Sequence, residues 1–326
     1  MSGSPSAPGR GPAELLLWAR DSGLVTDSAE ARRLAAMRLD LLVEGALPGG
    51  RAGHVALTAR WAAFICWLDD RIDRSGMGTV PGEVEKFTAP LRRVLTCAAA
   101  PSGPSAAHAA VLARLWERTA EGMPAAWRER FTADYLDFLD ATEEEIALRR
   151  DGVRLSLEAY VRLRRRTITV QPMLDVLERT GRAALTEETA ADSRVRDLRW
   201  AAADVAGWAN DLVSAADDTA VGQDNLVAIV ARESGIPAAA ARIRVAALID
   251  KRRDDVRATA TALRTASGLP RDEREGLRRY AAIVERLTAA TLNWLAASGR
   301  FTGAPRGPFA AAPPFTGSAR PRERDS

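Results

Sequence analysis

The feature that most constrains this chain is an apolar run that ends in a group of carboxylates. Residues 61–68 read WAAFICWL, and Asp69, Asp70 and Asp73 follow directly. Successive residues of a helix advance by roughly 100°, so Asp69 and Asp73 project from one face and Asp70 lies beside Asp69. Converging carboxylate oxygens suit a hard divalent cation such as Mg²⁺. The run therefore predicts either a metal site or a solvated helix end paired with neighbouring arginines.

A second polar stretch, WANDLVSAADD at residues 208–218, indicates the same chemistry. Asn210, Ser214 and Asp218 are spaced i, i+4, i+8, so an amide oxygen, a hydroxyl and a carboxylate form one column on a helix. The residues upstream on this helix are small and apolar: Ala203, Ala206 and Gly207. A column with one buried end predicts a second Mg²⁺ site, and the alternative is the wet side of an ordinary helix.

These two motifs together resemble those of class I terpene cyclases of the microbial type. In that family an aspartate-rich motif and an Asn/Ser/Glu triad hold three Mg²⁺ ions around a diphosphate. The resemblance extends from about Trp61 to Phe301 and includes GQDNLVAIV at residues 222–230, which is similar to the segment that follows the triad. It implies that Asp69, Asp70 and Asp73 bind metal with Asn210, Ser214 and Asp218.

The resemblance also assigns two arginines. Arg165 lies in LRRRTITVQP, where the family keeps a diphosphate-sensing arginine, and the resemblance implies that it is more important than its two arginine neighbours. Arg300 and Phe301 fall where the family has an Arg-Tyr pair. Phenylalanine in the second position removes one hydroxyl donor. Asp218 also departs from the family, which has glutamate there, and Asp217 stands where lysine is common.

Pro172 predicts a helix break, because proline lacks the amide that would bond the carbonyl of Ile168. In the family this break lies against the substrate. The resemblance thus implies that the carbonyls of Ile168 and Thr169 face the carbon atoms where positive charge develops. The family usually has glycine where Thr169 stands. A kink made for packing alone is the alternative.

The implied activity is ionisation of a linear prenyl diphosphate and cyclisation of the carbocation to a terpene hydrocarbon or alcohol. The expected pocket residues are Trp61, Ile65, Cys66, Ala203, Ala206, Gly207 and Trp294. Ile65 and Cys66 share the face of Asp69 and stand where sesquiterpene cyclases often have phenylalanines. The extra space favours geranylgeranyl diphosphate (C20) slightly over farnesyl diphosphate (C15).

The rest of the sequence predicts an all-α fold, a single-domain helical bundle around a central apolar cavity. Strand patterns are nearly absent, and a 326-residue chain with 47% hydrophobic content is long enough for one large core. We expect a disordered leader at residues 1–12, the helical domain at 13–302 and a Pro/Arg-rich disordered tail at 303–326.

Charge and composition exclude several other classes of protein. The tail contributes +2 of the net charge of +3, from four arginines against Glu323 and Asp325, so no basic stripe for nucleic acid is predicted. No apolar stretch is long enough for a membrane helix. Two cysteines and two histidines favour a reducing, cytoplasmic location and argue against zinc. The oligomeric state stays open, a homodimer included.

Three alternative functions share parts of this pattern. Chain-elongating prenyl diphosphate synthases and squalene or phytoene synthases have a similar fold, but both use paired acidic motifs, and here the second motif is the Asn/Ser/Asp column. A non-catalytic helical interaction protein would have no need of an oxygen column on a partly buried helix. The prenyl diphosphate cyclase is therefore the preferred hypothesis.

Overall fold

The computed structural model describes residues 11–96, 107–220 and 222–298. Within those ranges the chain forms fourteen α-helices and one 3₁₀ turn at Met77–Thr79, with no β-strand, which confirms the all-α prediction. The helices are α1 Pro12–Asp21, α2 Ser28–Ala36, α3 Leu39–Ala46, α4 Ala52–Arg74, α5 Glu83–Thr96, α6 Ala107–Ala120, α7 Ala125–Arg150, α8 Leu157–Thr167, α9 Val170–Thr180, α10 Glu187–Ala191, α11 Ser193–Ala220, α12 Leu226–Ser234, α13 Ala238–Arg264 and α14 Arg271–Ala297.

The helical region starts close to the predicted boundary. Helix α1 begins at Pro12, one residue before the expected start of the domain at residue 13. The predicted tail at 303–326 and the first ten residues of the predicted leader lie outside the described residues. In the part of the chain that the structure describes, no helix combines the length and the apolar character that crossing a membrane requires.

Several helices begin at side chains that cap their free amides. The Asp27 carboxylate accepts hydrogen bonds from the backbone amides of Ala29 and Glu30, at 2.7 and 2.8 Å, and starts α2. The Asn225 side chain accepts from the amide of Val227 at 2.9 Å and starts α12. Asn225 is buried, so this cap also fixes where α12 begins against α11.

The predicted helix break separates α8 from α9, but it falls at Thr169 and not at the proline. Thr169 has a φ of 62°, a left-handed conformation that β-branched residues rarely adopt. Pro172 is the third residue of α9, where the backbone amide would have no helical partner anyway. The Thr169 hydroxyl donates to the carbonyl of Ile168 at 2.6 Å. That carbonyl is thus left without the Pro172 amide, as predicted, but receives a hydroxyl instead.

Helix α11 lies at the centre of the bundle and packs against α8, α9, α12, α13 and α14. Helix α4 packs against α1, α3, α6 and α9. Since α9 contacts both α4 and α11, it lies between the two helices that carry the sequence motifs. Helix α7 packs against α5, α8 and α9 and against the 3₁₀ turn that follows α4.

A buried ion cluster joins α7, α9 and α11. Arg199 donates to Asp175 at 2.8 Å and also to Asp134, and Arg130 donates to Glu178 at 2.5 Å. Three carboxylates therefore face two guanidinium groups. Burial is the main cause that raises the pKa of Asp134 and of Glu178, each to about 7. The excess carboxylate favours retention of a proton in the folded protein near neutral pH.

This cluster predicts a pH-dependent contribution to stability. Glu178 has a pKa raised from 4.5 to about 7, so the folded protein binds a proton that the unfolded chain releases in this window, and the contribution to stability falls as pH rises through it. Glu178→Gln removes the titration. We expect the free energy of unfolding of Glu178→Gln, relative to the original protein, to increase between pH 4.5 and 7 in denaturant titrations. The exposed Glu158→Gln should show no such trend, and a flat difference for Glu178→Gln would contradict the assignment.

Candidate active site

The carboxylates that end the apolar run of α4 do not all converge. Asp69 and Asp73 are exposed, and both influence the same carboxyl group, Glu145 on α7. Asp70 instead lines a cavity between α1, α2 and α4, together with Trp67. Asp70 lies on another side of α4 from Asp69 and Asp73, because one step along a helix rotates a side chain by roughly 100°. Its role as a metal ligand stays a prediction.

The predicted oxygen column lies on the C-terminal half of α11. The Ser214 hydroxyl donates to the Asp218 carboxylate at 2.6 Å, and the buried Asn225 amide donates to the same Asp218 oxygen at 2.6 Å. Burial raises the pKa of Asp218, while its bonds to Ser214 and Asn225 act in the opposite direction. Two donors on one oxygen hold the carboxylate in place and leave its other oxygen for a further partner.

The donor set of the α11 column fits a hard divalent cation. It offers the Asn210 amide oxygen, the Ser214 hydroxyl and the Asp218 carboxylate, and Mg²⁺ prefers such oxygen ligands. Over the described ranges no group of three or more His, Cys, Asp or Glu side chains could hold a metal ion. A site here must therefore use the amide and hydroxyl oxygens as well as carboxylates.

Arg164, and not the predicted Arg165, reaches the oxygen column. Its Nη2 donates to the Asn210 side-chain oxygen at 2.8 Å, and its Nε donates to Asp211 at 3.0 Å. Burial lowers the pKa of Arg164, but the charge of Asp211 outweighs this effect and the net shift is upward, so the guanidinium stays charged. A Cβ atom on Gly207 would lie 3.0 Å from the Arg164 side chain. Gly207 therefore makes room for the arginine and not for a hydrocarbon chain.

Arg165 points elsewhere. Its Nε and Nη2 donate to the two oxygens of Asp204 at 2.7 and 2.8 Å, and its guanidinium lies 5.3 Å from the Trp200 ring. Arg252 from α13 donates to the same carboxylate at 2.8 Å. Arg165 therefore belongs to an ion cluster on α8, α11 and α13, about 100° around the helix from Arg164.

The Asp211 carboxylate holds the Arg164 guanidinium in place. It is buried, and besides Arg164 it accepts from the Tyr160 hydroxyl at 2.6 Å and from the backbone amide of Leu226 at 3.2 Å. These bonds join α8, α11 and the start of α12. The sequence offered one signal for this role, since Asp211 follows Asn210 directly, but it offered none for Tyr160.

Helix α7 contributes two residues that the sequence did not predict. Burial raises the pKa of Glu145 to about 7, and Arg164, Asp73, Arg149 and Asp69 all act on it electrostatically. Arg149 donates to the Gln223 side chain at 2.9 Å and lies 3.7 Å from Asp73. The i, i+4 spacing of Glu145 and Arg149 places them on one face of α7 and was the available signal.

The residues expected to line the pocket fall into two groups. Ile65 and Cys66 on α4 and Ala203 and Ala206 on α11 are buried, on the two helices that α9 separates. Trp61 instead belongs to an aromatic cluster with α6 and α7, where its indole N–H donates to Thr119 at 2.8 Å. Its expected place in the pocket is therefore wrong.

Trp294, Arg300 and Phe301 are the remaining predicted residues. The indole N–H of the buried Trp294 donates to the backbone carbonyl of Met37, so this ring ties α14 to the residue between α2 and α3. Arg300 and Phe301 lie outside the described residues. Their predicted role at the diphosphate therefore stays a prediction.

Comparison with known proteins finds related sequences over most of the chain. The family model "terpene synthase family 2, C-terminal metal binding" matches residues 60–255. Pristinol synthase of Streptomyces pristinaespiralis is 31% identical over 324 residues, which cover 94% of this chain and 86% of the relative. The (-)-beta-caryophyllene synthase ((2E,6E)-farnesyl diphosphate cyclizing) of Saccharothrix espanaensis is 29% identical, over 73% of this chain and 67% of the relative.

Solved structures support the same fold. The linalool/nerolidol synthase from Streptomyces clavuligerus, in complex with 2-fluorogeranyl diphosphate, superimposes with a TM-score of 0.77 at 24% identity. The match covers 87% of this chain and 96% of that structure. The match includes nearly the whole of that solved chain, so the two proteins share one fold.

The geometry predicts which arginine binds an anion beside the oxygen column. We expect Mg²⁺ with inorganic diphosphate to raise the Tm of the unmodified protein, because a ligand that binds only the folded state stabilises it. Arg164→Gln should lose most of this increase, whereas Arg165→Gln should keep it. Each variant is compared with its own ligand-free Tm, since Arg164→Gln weakens a buried ion pair. A larger loss for Arg165→Gln would contradict the assignment.

Proposed function

The chain belongs to the class I microbial terpene synthases, and from this membership we propose that it is a Mg²⁺-dependent cyclase of a linear prenyl diphosphate. The proposed reaction breaks the bond between the allylic carbon and the diphosphate oxygen. The resulting carbocation closes to a ring, and loss of a proton, or addition of water with loss of a proton, gives a hydrocarbon or an alcohol.

One observation carries the proposal: Arg164 Nη2 lies 2.8 Å from the Asn210 side-chain oxygen. A buried, permanently charged guanidinium therefore donates a hydrogen bond to the first of the three proposed oxygen ligands. Such a pair of a fixed cation and hard oxygens is what a leaving diphosphate needs, since its negative charge must be neutralised as the bond breaks. No hydrocarbon substrate without a charged group would need it.

Four residues are proposed to hold metal. Asn210, Ser214 and Asp218 would bind Mg²⁺ from α11, and Asp69 would bind it from α4. Asp73 lies one turn further along the same face of α4. When bound, the metal neutralises the departing diphosphate as a Lewis acid. Three ions are expected from the resemblance. Asp218 is shorter than the usual glutamate by one CH₂, and the donors Ser214 and Asn225 hold its carboxylate toward the column.

Arg164 is proposed to donate to the diphosphate. Asp211 and Tyr160 fix its guanidinium, so little side-chain entropy is lost when the anion binds. Charge-assisted bonds to a planar guanidinium are roughly twice as strong as neutral ones. Arg164 therefore replaces Arg165 as the proposed diphosphate sensor.

The carbocation is proposed to form beside the helix break between α8 and α9. Ile65, Cys66, Ala203 and Ala206 would supply apolar walls that keep water away. The Ile168 carbonyl accepts one bond from Thr169, and a carbonyl has two lone pairs. Its second lone pair can therefore still present negative charge to the cation.

Farnesyl diphosphate is the proposed substrate. The volume argument for geranylgeranyl diphosphate included Gly207, and that space is occupied by Arg164. The relative from Saccharothrix espanaensis carries farnesyl diphosphate in its name. Ile65 and Cys66 still leave more room than phenylalanines would, so the C20 substrate is retained as the competing hypothesis.

The metal ligands give the first test of this function. With farnesyl diphosphate and Mg²⁺, Asp69→Asn and Asn210→Ala should each lower turnover by roughly 10²-fold or more, because they remove charge stabilisation of the leaving group. Turnover is measured by extraction of the product into hexane and by release of diphosphate. The exposed Asp217→Asn serves as the matched control and should stay active. Full activity of Asn210→Ala with unchanged Mg²⁺ dependence would exclude the proposed site.

Parallel incubations test the substrate class. Farnesyl diphosphate should give a higher kcat/KM than geranyl or geranylgeranyl diphosphate, and added isopentenyl diphosphate should yield no longer chain. Cys66→Phe should shift the preference toward geranyl diphosphate, because a larger side chain occupies substrate space, whereas the nearly isosteric Cys66→Ser should not. Preference for the C20 substrate would contradict the C15 proposal, and chain elongation would contradict the cyclase.

A further inference from the structure

A chain of contacts joins the two candidate metal-binding half-sites, which lie on different helices. The first half-site is Asp69 with Asp73 on α4, and the second is the column on α11. Arg149 at the end of α7 lies between them: its Nη1 is 2.9 Å from the Gln223 side-chain oxygen and 3.7 Å from an Asp73 carboxylate oxygen. Arg149 thus contacts the loop after α11 and the end of α4 with one nitrogen.

The loop completes the connection to the column. The backbone amide of Gln223 donates to the backbone carbonyl of Asp218 at 2.9 Å. Two residues later, the Asn225 amide donates to the Asp218 carboxylate. The contacts therefore run from Asp73 through Arg149 and Gln223 to Asp218 without a break, and they reach both the backbone and the side chain of the last triad residue.

The turn after α4 holds Arg149 from its other side. A Cβ atom on Gly78 would lie 3.3 Å from Arg149 Nη2 and 3.2 Å from Ile146. A larger residue at position 78 would require Ile146 or the guanidinium to shift by a few tenths of an ångström. Arg149 therefore has a defined position against α4, the 3₁₀ turn and the loop after α11, although it belongs to none of them.

We propose that Arg149, acting through Gln223, is a positioning residue that sets the separation of the two metal-binding half-sites. The inference rests on the proposed function, because only a ligand that bridges both half-sites makes their separation matter. A planar guanidinium with five fixed donors suits this role better than the flexible ammonium of a lysine. Lysine at this position would keep the charge and lose the fixed geometry.

Stability and function should respond differently to loss of this bridge. The Arg149 side chain is 21% exposed and that of Asp73 is 45% exposed, and solvated ion pairs of this kind contribute little to folding. The free protein should therefore tolerate the loss. Binding that requires both half-sites at once should not tolerate it, because each Mg²⁺ would then be held by ligands at the wrong distance.

The test uses Arg149→Gln, Gln223→Leu and the double variant in the full chain. Two quantities are measured: the Mg²⁺ concentration for half-maximal turnover of farnesyl diphosphate, and the rise in Tm on addition of Mg²⁺ with inorganic diphosphate. Each single variant should raise the Mg²⁺ requirement roughly tenfold and reduce the rise in Tm, and the double variant should be no worse than the poorer single variant, because both break one bridge. The ligand-free Tm should change little.

Matched variants separate this bridge from a general loss of charge. Arg150→Gln removes the neighbouring arginine, which pairs with Asp151, and should behave like the original protein. Gly78→Ala displaces Arg149 without deleting it and should give a smaller effect in the same direction. Arg149→Lys should restore only part of the Mg²⁺ affinity.

Three results would overturn the inference. If Gln223→Leu leaves both quantities unchanged while Arg149→Gln alters them, Arg149 acts by itself and no bridge exists. If neither variant alters the Mg²⁺ requirement or the rise in Tm while Asn210→Ala abolishes turnover, the positioning role of Arg149 is contradicted and the proposed function stands. Absence of both turnover and a rise in Tm in the unmodified protein would instead remove the proposed function, and the bridge with it.

Discussion

The buried ion pair between Arg164 and Asp211 is the interaction on which the candidate site depends. Asp211 is 1% exposed, and its charge is compensated by the guanidinium, the Tyr160 hydroxyl and the amide of Leu226. Loss of one partner from such a buried pair costs roughly 3–5 kcal/mol. The pair joins α8 to α11 and to the start of α12, so the helix that carries Arg164 and the helix that carries the oxygen column are held together by the same charges.

The position of the site follows from where the apolar faces of several helices end. Helices α4 and α11 are buried along most of their length and become polar near their C-terminal ends, at Asp69 and Asn210. Arg149 and Arg164 stand near the C-terminal ends of α7 and α8. Arg164 contacts Asn210 and Asp211, and Arg149 contacts Asp73 and Gln223. Charged and polar groups of α4, α7, α8 and α11 therefore lie next to the apolar stretches of α4 and α11. A diphosphate ester with a hydrocarbon chain has this same division into charged and apolar parts.

The sequence predicted what depends on local periodicity. The all-α class, the oxygen column of α11 and the break before α9 follow from spacings of three and four residues or from single residues with restricted backbones. It did not predict which of three consecutive arginines reaches Asn210, because that depends on the rotation of α8 against α11. The rotation of α8 against α11 also explains Gly207, which faces Arg164. Trp61 faces α6 and α7 because of the rotation of α4 against those helices, which the sequence did not show either. Glu145 and Arg149 join the site only through the tertiary packing of α7.

A crystal structure of the full chain with Mg²⁺ and inorganic diphosphate would show whether one anion is bound by groups from α4, α8 and α11 together. We expect metal ions on Asn210, Ser214 and Asp218 and on Asp69, with the diphosphate between them and the Arg164 guanidinium on a phosphate oxygen. A diphosphate bound to Arg165, or metal confined to one of the two helices α4 and α11, would contradict it.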